Sequence, residues 1–160
     1  MSQQKLETPA ELFHYQVRSA LTMEHHSLEA LDELRSAAKD AKITKLFTHH
    51  ATETREQIDT LEQVFALLEV DPSTAPSPAT TGIKNQASSL LEKVDAKLRD
   101  RVALMSALGN EHFEISAYEG LILEARALGA GEAADLLQQN LDQETHTSEE
   151  LRSALQELLS

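Results

Sequence analysis

Five glutamates occupy positions where a helical sequence ordinarily places leucine. Glu24, Glu53, Glu111, Glu114 and Glu144 each interrupt an apolar stripe that repeats every three or four residues. The stretch NEHFEISAYEGL, from Asn110 to Leu121, states the conflict most clearly. Leu104, Leu108, Ile115, Tyr118 and Ile122 follow one helical face, and Glu111 and Glu114 stand where that face should continue. A carboxylate withdrawn from water is costly unless it is paired, protonated or bound to a cation. Carboxylates converging from several helices would repel one another, and two divalent ions bridged between them would remove the repulsion. A lone glutamate in a stripe is ordinarily a margin residue reaching for solvent, but five spread over every long helix weigh against that reading. His50 and Gln57 share the stripe of Glu53 and complete the candidate metal ligands. Tyr118, four residues beyond Glu114, can set its hydroxyl beside the group, whereas His25, His26, His112 and His146 are out of phase and assigned to neighbours or solvent.

Such residues need long helices to hold them, and periodicity supplies four. Thr8 caps the first, Pro9 takes its first position and Glu11 completes a capping box. Its stripe, Phe13, Val17, Ala20 or Leu21, Glu24, Leu28, Leu31 and Leu34, carries it over about 9–39. A polar turn at Asp40 opens the second, about 42–69, with Leu46, His50, Glu53, Gln57, Leu61, Val64 and Leu68 on one face. The segment VDPSTAPSPATTG, with three prolines, is incompatible with a continuous helix and is expected to be a linker. IKNQASSLLEKV then suffices for a short helix, and Asp95 caps a third long one over about 96–128. Gly129 ends it in the left-handed conformation. The fourth, about 132–158, runs through Leu136, Leu137, Leu141, Glu144, Ser148, Leu151, Leu155 and Leu158.

Short turns flanking one long connection imply an all-α chain, a single domain over 1–160. It is an antiparallel four-helix bundle with one long crossover containing a short helix. The two hairpins also resemble each other. ALTMEHHSLEALDEL and ALGNEHFEISAYEGL align Glu24 with Glu111 at an offset of 87, which pairs Gln57 with Glu144. An offset of 91 pairs Glu53 with Glu144 instead, and is preferred because it keeps a carboxylate in each helix.

Composition narrows the possibilities further. The absence of cysteine removes disulfides, thiolate metal sites and cysteine catalysis, and fits a reducing compartment, so the cytoplasm is the expected location. No apolar run approaches a membrane span and the polar start MSQQKLETPAEL lacks a signal-peptide core. A formal net charge of -13 argues against nucleic acid as a partner and favours cations.

The order of elements, with HATETREQIDTLEQVF on the second helix, NEHFEISAYEGL on the third and LDQETHTSEEL on the fourth, resembles the YciE/YciF-type family of bacterial stress-associated proteins in the ferritin-like superfamily. The resemblance extends from about Leu12 to Leu158 and is most specific in EHFEISAYEGL and TLEQVF. It implies a ferritin-like bundle, a homodimer, a two-metal site with iron first and manganese second, and a role in stress. The pair Glu111-x-x-Glu114 is similar to the third helix of rubrerythrins, where both carboxylates serve the metals.

One departure bears on the metal. Ferritin-like iron oxidases carry Glu-x-x-His on the second and fourth helices, whereas here Glu53 is followed by Glu56 and Gln57, and Glu144 by Thr147 and Ser148. A site of oxygen ligands, helped by His50, would favour harder ions and hold iron less firmly. The chemistry expected is oxidation of ferrous iron or removal of peroxide. Without cysteine to build a rubredoxin centre, turnover would need a separate electron donor. No further short helix follows the fourth, so storage in a shell is not expected. The alternative is a non-enzymatic dimeric interaction protein with a vestigial site held by protons and hydrogen bonds. A third and weaker option, an oxygenase, would require an apolar pocket opening onto the cluster. Phe13, Phe47, Phe65 and Phe113 are the residues an apolar dimer face could use.

Overall fold

In the computed structural model, which describes residues 5–160, α1 spans Pro9–Ala37, α2 Ala41–Leu67, α3 Pro78–Lys93, α4 Arg99–Ala127 and α5 Gly131–Leu159. The described residues contain no strand. The start of α1 is fixed as its sequence requires. The Thr8 hydroxyl accepts the Glu11 N–H at 3.1 Å while Glu11 Oε2 accepts the N–H of Thr8 at 3.1 Å. Asp40 caps α2 by accepting the Lys42 N–H at 2.7 Å. Helices α2 and α4 both stop in a left-handed residue, Gly129 at φ 73° after α4 and Glu69 at φ 57° after α2. In each case a six-residue reverse bond, Ala130 N–H to Ala125 O and Val70 N–H to Phe65 O, satisfies a terminal carbonyl.

The linker expectation over VDPSTAPSPATTG needs correction at its end. The helix α3 begins at Pro78, inside that segment, and not at Ile83. Proline is unfavourable within a helix but suits its first position, where its missing N–H would have had no partner anyway. A three-residue 3-10 turn, Ala96–Leu98, also precedes α4, capped by the Asp95 carboxylate on the N–H of Lys97.

The long helices form a ring in the order α1, α2, α5, α4, with α3 laid over the α1 and α4 face. Every adjacent pair is antiparallel. Short turns reverse α1 into α2 and α4 into α5. Glu24 with Tyr118 and Ser27 with Asn110 show it for α1 and α4, and Gln57 with Asn140 and Glu53 with Thr147 for α2 and α5. The crossover is fastened to α1: Ala75 N–H donates to Arg18 O at 3.2 Å, and the hydroxyls of Thr22 and Ser19 donate to the carbonyls of Ala75 and Pro76. At the far end the Asp100 carboxylate accepts the N–H groups of Lys39 and Asp40, tying the α1–α2 turn to the start of α4.

Packing divides the interior into two apolar clusters. One holds Phe13, Val17, Leu61, Phe65, Ile122 and Leu137; the other holds Leu31, Leu34, Phe47, Leu91, Leu104 and Leu151. Between them lies a buried polar layer containing Glu24, Ser27, Glu53, Gln57, Glu111, Glu114, Asn140, Glu144 and Thr147. The stripes of the sequence are therefore apolar at both ends and acidic in the middle. Phe13, Phe47 and Phe65 are buried within this chain, whereas Phe113 is only partly buried against the first cluster.

Candidate metal centre

The antiparallel ring brings the middle of each long helix to one level, and the central carboxylates meet there. Glu24 from α1, Glu114 from α4 and Glu144 from α5 each offer an oxygen, all within 4.8 Å of one another. Glu144 also lies within hydrogen-bonding reach of Glu111 on α4, so it stands between the two α4 carboxylates. Glu24 is 0% exposed, Glu114 1%, Glu144 2% and Glu111 4%, so water cannot screen their charges. Gln57 joins them from α2, 2% exposed, with its side-chain oxygen unpartnered. Glu24 Oε2, Glu111 Oε2 and Glu114 Oε1 are likewise buried without a donor.

Supporting polar groups hold this layer in place. The Tyr118 hydroxyl donates to Glu24 Oε1 at 2.5 Å, and Asn140 Nδ2 donates to the Tyr118 oxygen at 3.1 Å and to the Gln57 carbonyl at 3.2 Å. Ser27, which receives Asn110 Nδ2 at 3.4 Å, is buried beside Glu114 and eases its carboxyl pKa downward. The sequence does not single out Asn140 or Ser27, and it marks Thr147 only as standing in the place of a histidine ligand. Their signal was a polar residue on an apolar stripe one turn from a central glutamate, as Asn140 is from Glu144.

Burial governs the electrostatics. It pushes the Glu24 carboxyl up to about 8, against the opposing pull of the Tyr118 hydroxyl. Glu111, Glu114 and Glu144 are raised well above the ordinary carboxylate range, first by burial and then by the neighbouring glutamates. Burial and the nearby acids also raise the Tyr118 phenol. With a pKa near 8, Glu24 therefore keeps its proton at neutral pH in the absence of cations, and burial biases Glu111, Glu114 and Glu144 in the same direction.

Glu53 and His50 are placed differently. Thr147 and Asn140 on α5 bond Glu53 and the Gln57 carbonyl respectively, which sets Glu144 between the levels of the two α2 candidates. Glu53 turns to the α2–α5 seam, where Oε2 accepts the Thr147 hydroxyl at 3.0 Å and Oε1 lies 2.5 Å from His49 Nε2. It remains close enough to raise the Glu111 pKa. His50 is 2% exposed, with neither ring nitrogen hydrogen-bonded and Nε2 4.0 Å from Glu150 Oε2. Burial, then His49 and His146, lowers its pKa to about 4, so its ring is neutral.

A small cavity of about 20 Å³ lies between α1, α3 and α4, lined by Leu31, Leu34, Ile83, Ala87 and Ala107 and reaching Glu111. It has room for one water-sized molecule. No helix among the described residues is long and apolar enough to cross a membrane.

Known proteins share this fold. Protein YciF of Escherichia coli (strain K12) is 27% identical over 144 residues, covering 89% of this chain and 87% of that one. The structure matches that of the E. coli stress protein YciF with a TM-score of 0.88 at 26% identity, over 94% of this chain and 96% of the other. It matches YcfI from Rhodopseudomonas palustris, provisionally described as a structural protein, with a TM-score of 0.91 at 27% identity, over 95% and 98% of the two chains. The family described as "Domain of unknown function (DUF892)" matches residues 8–160, and with the YciF likeness in sequence and structure it shows that the chain belongs to this family, the YciE/YciF type.

Proposed function

We propose that the protein is a ferritin-like stress protein whose polar layer binds two divalent metal ions, iron first and manganese second, and uses them to oxidise ferrous iron or remove peroxide. The observation that carries this reading is the set of buried, donorless oxygens on Glu24, Gln57, Glu111 and Glu114, drawn from three helices and facing one level. Acceptors without donors suit a cation, and an all-oxygen set suits hard divalent ions. Glu24, Glu111, Glu114 and Glu144 would hold the ions, with Gln57 adding a neutral oxygen and Glu53 closing the α2 side. Glu144, between Glu111 and Glu114, is the carboxylate placed to be shared. His50, beyond Glu53 toward Glu150, serves the edge at most.

Bound iron would supply electron transfer to oxygen or peroxide. The chain's own contribution is physical. The two apolar clusters exclude bulk water from the layer, and Tyr118 fixes the orientation of Glu24 while retaining its proton. The protonated carboxyls would release their protons as cations enter, making loading more favourable as pH rises. The cavity at Glu111 admits a molecule of water or peroxide size, which disfavours an organic substrate and the oxygenase option. A separate electron donor would complete any redox cycle. The stress role is carried over from the E. coli stress protein YciF; a cytoplasmic homodimer is the assembly and location that the family resemblance implies.

The test is metal analysis of purified protein followed by ferrous oxidation with peroxide. Wild-type protein should retain close to two ions per chain, and Glu144→Gln should weaken binding by about a hundredfold or more and abolish oxidation. Protein that takes up no metal, or a Glu144→Gln variant that oxidises iron at the wild-type rate, would overturn the proposal. A second reading, a non-enzymatic dimeric interaction protein, is favoured by Thr147 and Glu56 standing where histidine ligands would be. The Tyr118 hydroxyl, which satisfies one oxygen of Glu24 without a metal, points the same way. Stability unchanged by added iron or manganese would select it.

A further inference from the structure

Outside the carboxylate layer, α2 and α5 carry a matched pair of motifs. His49 and Glu53 are four residues apart on α2, and His146 and Glu150 are four apart on α5. Four-residue spacing puts each pair on one helical face, and the antiparallel packing of α2 on α5 sets the two faces against each other. His49 Nε2 lies 2.5 Å from Glu53 Oε1, and His146 Nε2 lies 2.9 Å from Glu150 Oε1. Ligand atoms of His49, Glu53 and Glu150 all fall within 4.8 Å of one another.

Surface His–Glu pairs alone would be ordinary ion pairs of small energetic value. The third histidine is what they do not account for. His50 sits between the two pairs, buried, with both ring nitrogens unpartnered and Nε2 4.0 Å from Glu150. A buried imidazole with no hydrogen bond is costly, and a lone pair with no donor facing it is a ligand position. Access is open: a groove of about 700 Å³ between α2 and α5, lined by Ile43, Leu46, His146 and Glu150, ends at this cluster.

We propose that the α2–α5 seam binds one divalent late transition-metal ion, of which zinc is the probe, through His49, Glu150 and Glu53, with His50 and His146 completing its nitrogen donors. Imidazole nitrogen with carboxylate oxygen suits zinc and its neighbours, in contrast to the all-oxygen interior layer. The seam site does not rest on the interior proposal. Glu53 is common to both regions, so the test leaves it intact.

The experiment is calorimetric titration of the full-length protein with zinc chloride, comparing wild type, Glu144→Gln, and the seam variants His49→Ala and Glu150→Gln. His49 is largely exposed and Glu150 partly so, so neither substitution opens the core; thermal melts of each variant check this. One zinc equivalent should persist in Glu144→Gln and weaken by about tenfold or more in each seam variant. Histidine ring resonances of His49 and His50 should shift in step with it. Zinc binding unaffected by either seam substitution, or no zinc binding at all, would overturn the proposal. Failure of the interior reading would instead appear as iron binding indifferent to Glu144→Gln, with the seam titration unchanged.

Discussion

The polar layer and the α2–α5 seam are built from the same side chain, glutamate, held in opposite ways. In the layer Glu24, Glu111, Glu114 and Glu144 meet other acids, a tyrosine and no cation; at the seam Glu53 and Glu150 meet histidines at the edge of solvent. The first arrangement stores electrostatic cost and raises the carboxyl pKa values well above the ordinary range; at the seam burial raises Glu53 as well, but the Thr147 hydroxyl and His49 pull against it. The contrast teaches that function in this bundle is a matter of which acids have been denied counter-charges.

Raising the pH of metal-free protein should break the layer first. Glu24 carries a folded pKa of about 8 against an ordinary 4.5. Between those values the folded chain retains a proton that the unfolded chain has released. The contribution is thus complete below the ordinary carboxylate range and lost as pH rises through 8. Glu24 alone should remove on the order of 3–5 kcal/mol over that window. Urea unfolding in the presence of chelator, from about pH 5 to pH 9, measures it. A flat profile would mean that the layer is ionised and solvated. Saturating manganese should flatten the profile if the interior binds it.

A second intervention sharpens the contrast by removing charge without volume. Glu114→Gln should stabilise metal-free protein at pH 8 by about 1–3 kcal/mol, since an amide tolerates burial better than a forced carboxylate. The same change should depress metal uptake, the usual exchange of stability against function. Tyr118→Phe comes next: it takes the hydroxyl from Glu24 Oε1 and leaves Asn140 short of an acceptor, costing about 1–2 kcal/mol in thermal or urea unfolding. At the seam the expected effect is smallest. His49→Ala should alter stability by no more than about 0.5 kcal/mol in the same assay, because its pair with Glu53 is largely solvent-screened. A larger loss would show that the seam, too, contributes to folding.

The helices and the acidic layer were legible in the sequence for a simple reason. Stripes such as Phe13, Val17, Glu24, Leu31 and Leu34 carry their phase with them, and an out-of-place carboxylate on such a stripe is visible without coordinates. Local caps at Thr8, Asp40 and Gly129 marked the ends just as directly. What was hidden depended on packing between helices. The turn of Glu53 toward the seam requires Thr147 and His49 beside it, and His146 reads as surface until α5 is laid against α2. The start of α3 at Pro78 was obscured because three prolines in one segment read as a uniform break, although one of them occupied the position a helix accepts. The choice of α2 partner for Glu144 was likewise a question of axial register, which no single helix encodes.

The short helix α3 rests outside the four-membered ring, held to α1 by His26 with Thr80, Glu29 with Lys84 and Glu33 with Ser88. It also forms one wall of the small cavity that ends at Glu111. These polar fastenings are mostly at the surface, while Ala87 and Leu91 anchor the helix in the second apolar cluster, so the wall opens only at the cost of those contacts while the ring stays closed. Traffic into the acidic chamber would then be gated by a door in its side, with its frame left standing. Backbone amides of α3 should accordingly trade hydrogen for deuterium well before those flanking Glu114 or Glu144.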